Sequence, residues 1–105
     1  MSRNAFPKIE RDMNAAEEQK EQQKREHISI REQAIDRAAV HDFSTAMEIK
    51  MNKSREKGKG GWHDPYQCTV SSLAKLMREH LDKGDYVDVG NFAMMLWHRT
   101  GKPHP

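Results

Sequence analysis

Apolar positions are distributed unevenly along this chain. Residues 8–26 are Glu, Lys, Arg, Gln and Ala almost throughout, with Ile9 and Met13 isolated among them. Lys8 to about Ala39 holds good helix formers and neither Gly nor Pro, and its first half, through Glu26, predicts a solvated helix held by i, i+4 ion pairs or a disordered arm. From Ile28 an apolar stripe emerges at Ile28, Ile35, Ala39, Phe43, Met47 and Met51, in steps of seven and four. Asp42 and the Thr45-x-x-Glu48 box offer a fresh helix start, so the stripe predicts one long helix or a kinked pair. Lys57 to Pro65, KGKGGWHDP, closes it with a glycine-rich loop.

Two short helices are expected after the loop. Thr69 or Ser71 caps the first, whose set Val70, Leu73, Leu76, Met77, His80 and Leu81 follows a 3.6-residue period. Gly84 is a natural left-handed stop. Asp85 caps the second, which runs to about Thr100 before Gly101 and Pro103, with Asp88 at its third position. That last helix is apolar nearly all round: Val89, Phe92, Met95 and Leu96 on one side, with Val87, Ala93, Met94 and Trp97 over most of the rest. The expected fold is all-α. A long N-terminal helical arm (1–42) leads into a small antiparallel helical hairpin packed on Phe43–Lys57 (43–100), with a tail at 101–105. A helix apolar on two sides must be covered on both. In so small a chain the second cover is expected from another copy.

Composition sharpens this picture. Of 105 residues, 35% are hydrophobic and 32% charged, against usual values of about 45–50% and about 25%. Core material is scarce. Formal net charge is +2, from 18 basic and 16 acidic residues, so nucleic acid is not the expected partner. The single cysteine, Cys68, excludes an intrachain disulfide and fits a reducing, cytoplasmic setting. The longest apolar run, Phe92–Trp97, is far short of the ~20 residues of a membrane span. No apolar N-terminal segment suggests secretion.

Candidate chemistry gathers at the bend between the last two helices. Glu79, Asp82, Asp85 and Asp88 recur every third residue across Lys83-Gly84. Acids at i, i+3 share a helix face, and two such pairs meeting at a turn suit a hard cation such as Mg²⁺. At about 100° per residue, Asp85 and Asp88 fall in the sector of Val89, Phe92, Met95 and Leu96. Glu79 and Asp82 fall on the polar side of their helix, away from Leu73, Met77 and His80. The bland alternative stays open: Asp85 and Asp88 complement a helix N-terminus without any ligand, and Glu79 and Asp82 are solvated. The six histidines show no His-x-x-x-His spacing.

From Phe43 to Arg99 the chain resembles phage-encoded MazG-like proteins, relatives of the all-α nucleotide pyrophosphohydrolases. Ala46-Met47 with Lys50-Met51, Lys59-Gly60-Gly61-Trp62, Leu73-x-x-Leu-x-x-Glu79 and Asp88-Val89-Gly90-Asn91-Phe92-Ala93-Met94-Met95 carry the resemblance. It implies a dimeric or tetrameric, Mg²⁺-dependent enzyme that converts a nucleoside triphosphate to monophosphate and pyrophosphate. By the same resemblance Glu79 and Asp82 stand for the first metal-binding pair, and Asp85 and Asp88 for the second. Asp replaces Glu at two of these positions, and only Lys83-Gly84 separates the pairs. Lys50, Lys53, Lys57 and Lys59 would suit a triphosphate, Trp62 a base, and Asn91 a metal or phosphate. Each also has an ordinary role, as solvated helix end, core plug and interhelical hydrogen bond. A second expectation is a non-catalytic relative that binds a host or phage protein through residues 8–42 and its Met-rich faces. The two-sided last helix predicts that sedimentation at micromolar concentration finds a species larger than the monomer; a monomer would contradict the shared-face argument.

Overall fold

The computed structural model describes residues 8–101, with side chains from residue 14 onward. The expected N-terminal tip at 1–7 and the tail beyond Gly101 lie outside the described residues. Three helices and no strand are present among the described residues: α1 (Lys8–Glu56), α2 (Val70–Lys83) and α3 (Tyr86–Arg99). The chain is all-α, as its periodicity predicts. No helix among the described residues is long and apolar enough to cross a membrane. Two compact units are distinguished, Met1–Ala39 and Val40–Pro105.

In the first unit every described side chain, 14–39, is exposed. The Gln22 amide donates to Glu26 at 3.1 Å and Arg25 donates to Gln22 at 3.1 Å. Such i, i+3 and i, i+4 bonds stabilise a helix by only tenths of a kcal/mol each. The stripe residues Ile28 and Ile35 are 49% and 57% exposed.

The second unit begins within α1. Of the two sequence expectations the single unbroken helix is observed, and Asp42 starts nothing. The hydroxyls that resembled caps turn back instead: Ser44 and Thr45 donate to the His41 carbonyl at 2.9 and 3.0 Å. With no Gly or Pro between residues 8 and 57, nothing interrupts the backbone ladder. At its end, Gly58 N–H reaches Arg55 O and Lys59 N–H reaches Ser54 O, the paired bonds of a left-handed helix stop.

α2 starts at Thr69, whose hydroxyl accepts the Ser72 N–H at 3.0 Å. It ends in the same paired-bond motif. Gly84 has φ 76°, its N–H meets Leu81 O at 3.0 Å, and the Asp85 N–H meets His80 O at 2.9 Å. α3 follows immediately, giving the antiparallel hairpin. Leu73, at 1% exposure, is the apolar residue buried beneath it.

α3 also meets α1. Asn91, 4% exposed, donates to the Met47 carbonyl at 3.2 Å. Beside it Gly90 faces Phe43 so closely that a Cβ would lie 2.5 Å from the ring. A glycine in mid-helix costs about 1 kcal/mol of helix propensity, and here it opens the space the Phe43 ring occupies. The 57–68 loop is pinned to the far end of α3. Arg99 donates to the carbonyls of Trp62 and Cys68 at 2.6 and 2.7 Å. Within the loop, Asp64 accepts from the Tyr66 N–H at 2.9 Å and from the Gln67 amide at 3.1 Å. These two Arg99 bonds are charge-assisted and partly buried, so Arg99→Ala is expected to cost about 2 kcal/mol in denaturant unfolding. Arg99→Lys is expected to recover less than half, because both bonds leave one terminal guanidinium nitrogen and the shorter lysine stem does not carry its ammonium to that point.

Candidate functional site

The hairpin turn sets the site's geometry. The left-handed stop at Gly84 folds the end of α2 against the start of α3, so His80 in the last turn of α2 faces Asp85 and Asp88. His80 Nδ1 lies 3.1 Å from Asp85 Oδ2 and 3.5 Å from Asp88 Oδ2. Lys50 of α1 approaches the same Asp88 oxygen at 3.3 Å. The His80 ring also leans on Phe92, with centroids 5.3 Å apart and planes tilted by 38°. Asp88 is the most enclosed of the charged groups, its side chain 16% exposed against 45% for Asp85 and 50% for Lys50. A ligand atom from each of His80, Asp85 and Asp88 lies within 4.8 Å of the others.

Local electrostatics favour this gathering without a ligand. The carbonyl end of α2 attracts positive charge and the N–H end of α3 attracts negative charge. His80 and Lys83 sit at the first end, Asp88 at the second. Asp85 occupies the N-cap position but makes no side-chain cap hydrogen bond. This corrects the capping role read from the sequence: its carboxylate turns toward His80 instead.

The acidic quartet is divided. Asp85 and Asp88 converge, while Glu79 and Asp82 are exposed and lie outside the cluster. The third converging group is His80, which sequence periodicity placed in the apolar stripe of α2. It holds both positions at once: half-buried against Phe92, with its ring nitrogen turned to the carboxylates. The available signal was its place one turn before Gly84, which points it across the bend.

Lys50 reaches the cluster through Asp88, whereas Lys53, Lys57 and Lys59 are exposed positions on the end of α1 and in the loop. Trp62 stands at the other end of α3, its ring 6.0 Å from that of His98 and 5.7 Å from that of His63. There it is half-buried. Asn91 is buried, and its Oδ1 has no hydrogen-bond partner although its amide nitrogen is held by Met47. A buried acceptor without a donor is uncommon and calls for a cause.

No family model, no curated protein and no solved structure matches this chain. Asp88 joins Lys50 and His80 in a sheltered position, so Asp88→Ala is expected to destabilise by about 1–2 kcal/mol. Asp85→Ala, at a far more open position, should cost less than about 1 kcal/mol. Chemical denaturation of both variants tests this order, and equal losses would contradict it.

Proposed function

We propose that the chain is a small helical hydrolase of the nucleotide pyrophosphohydrolase kind. It would use a divalent cation held at the α2–α3 bend to add water to a nucleoside triphosphate, releasing monophosphate and pyrophosphate. The observation that carries this reading is the convergence of His80, Asp85 and Asp88 on one point. Two further features support it: the adjoining Lys50, and the unsatisfied Oδ1 of Asn91 one turn beyond Asp88 on α3. The donor set fits a divalent ion, because two carboxylates and an imidazole balance its charge and leave positions open for water and phosphate. When bound, such an ion neutralises phosphate charge and lowers the pKa of the attacking water.

The protein's own groups divide the remaining work. Asp88, enclosed and shared, fixes the centre. Asp85, more open, completes it from the bend. Lys50 is half exposed on a flexible stem, so it can leave Asp88 for a phosphate oxygen once an ion takes its place. Lys53, one turn along α1, extends the basic row toward Lys57 and Lys59 in the loop. Glu79 and Asp82 enter this reading only through a second subunit.

A second reading is favoured by a separate observation. Leu73 is the single apolar residue in the buried class among the described residues, while Leu81, Ile49, Tyr86 and Trp97 are about half exposed or more. Apolar surface left open on so small a unit supports association with another protein chain. In that reading the His80, Asp85, Asp88 and Lys50 cluster is an electrostatic latch for the hairpin, and the polar helix engages the partner. Incubation with each NTP and dNTP plus Mg²⁺ or Mn²⁺ separates the two. Pyrophosphate release that is lost in Asp88→Asn, with the fold intact by circular dichroism, supports the hydrolase. No release from any nucleotide leaves the binding module.

A further inference from the structure

Mg²⁺ is the ion the sequence resemblance implies, yet the cluster is not an all-oxygen set. We infer that His80 is itself a metal ligand and that the site prefers an imidazole-accepting transition ion of the Zn²⁺ type over Mg²⁺. This inference rests on the reading of the bend as a cation site and names the ion that site selects.

Donor chemistry comes first. Mg²⁺ takes carboxylate and water oxygens and keeps much of its hydration, so an imidazole offers it little. Zn²⁺ and its neighbours bind imidazole well, and three protein ligands with one open position is the usual arrangement of a catalytic zinc. His80, Asp85 and Asp88 supply those three.

Spacing agrees. With bonds of about 2.1 Å, neighbouring ligands on an ion lie roughly 3.0–3.4 Å apart, in octahedral or tetrahedral geometry. The His80 Nδ1 distance to Asp85, 3.1 Å, falls inside that range and the distance to Asp88, 3.5 Å, just beyond it. Nδ1 is held toward the carboxylates by its hydrogen bond with Asp85, and the ring rests against Phe92.

Asn91 supplies an independent observation. Asp88 and Asn91 are one turn apart on α3, and they reach Lys50 and Met47, one turn apart on α1. Asn91 therefore lies in the same α1–α3 seam as Asp88. Its nitrogen is committed to Met47, which fixes the amide orientation and leaves Oδ1 facing no donor. A water on the bound ion would supply one.

The experiment uses the full chain. Zn²⁺ and Mg²⁺ are titrated by calorimetry, and Co²⁺ is added as an optical probe of the same site, for the chain as it stands and for His80→Asn and His80→Asp. The expected results are one Co²⁺ per chain with visible absorption bands and Zn²⁺ affinity at least about a hundredfold above that for Mg²⁺. His80→Asn should weaken Zn²⁺ by about tenfold or more and leave Mg²⁺ little changed, and His80→Asp should move the preference toward Mg²⁺. Circular dichroism of each variant checks that the helices persist. Mg²⁺ binding as tight as Zn²⁺, or Zn²⁺ affinity and Co²⁺ bands unaltered in His80→Asn, overturns this inference while leaving a cation site in place. Binding of no ion by the unaltered chain overturns the cation reading as well.

Discussion

The bend at Gly84 is the constraint from which the rest of the hairpin follows. An L-residue pays a steric penalty in the left-handed region that glycine avoids, and Gly84 takes it with φ 76°. Two backbone bonds, from Gly84 to Leu81 and from Asp85 to His80, close the end of α2 in the space of one residue. A longer connection would let the two helices start and stop independently. Here their ends are locked together, and the side chains of the last turn of α2 and the first turn of α3 must meet. The proposed centre forms at this junction: His80 meets Asp85 and Asp88 across the bend.

That meeting is arranged so that charge and burial agree. The helix ends present opposite partial charges to one another, and the groups of opposite sign sit on the matching ends. Asp88 gains most because α1 covers it, bringing Lys50 within 3.3 Å. α1 can come so close because Gly90 carries no side chain where Phe43 lies, and because Asn91 hydrogen-bonds a carbonyl of α1. Asn91 thus ties the helix contact to the site. A change in how α1 packs on α3 would move Lys50 and Asp88 together.

The packing that supports this is thin. Among the described residues one leucine is deeply buried, and many large apolar side chains on α1, α2 and α3 stay partly open. A domain of this size buries a smaller fraction of its surface than a larger one. Hydrogen bonds with specific geometry, those of Asn91, Arg99, Asp64 and Thr69, therefore carry more of the definition of the fold than a large core would leave to them. The same shortage supports the second functional reading, in which another chain completes the apolar surface.

Much of the architecture was legible in residue order because its causes are local. The bounds of α2, the Gly84 stop and the glycine-rich loop all follow from backbone preferences within a few residues, and of the two caps the residue order offered, Thr69 and Ser71, Thr69 is the one used. Of helix and disordered arm at residues 8–26, the helix is observed, continuous through Glu56 where no Gly or Pro intervenes. Two local readings were not realised, the restart at Asp42 and the side-chain cap by Asp85, because in each case a competing partner lay within reach. Ser44 and Thr45 found the His41 carbonyl, and Asp85 found His80. The site was legible only in half. Spacing put Asp85 and Asp88 on one face; the same three-residue recurrence grouped Glu79 and Asp82 with them although their projection faced the polar side, and periodicity counted His80 as core. Tertiary structure decided among these. Which side chains face one another across a bend depends on the rotation of one helix about its axis relative to the next, and that angle comes from the packing of α2 on α3 and is written in neither segment alone.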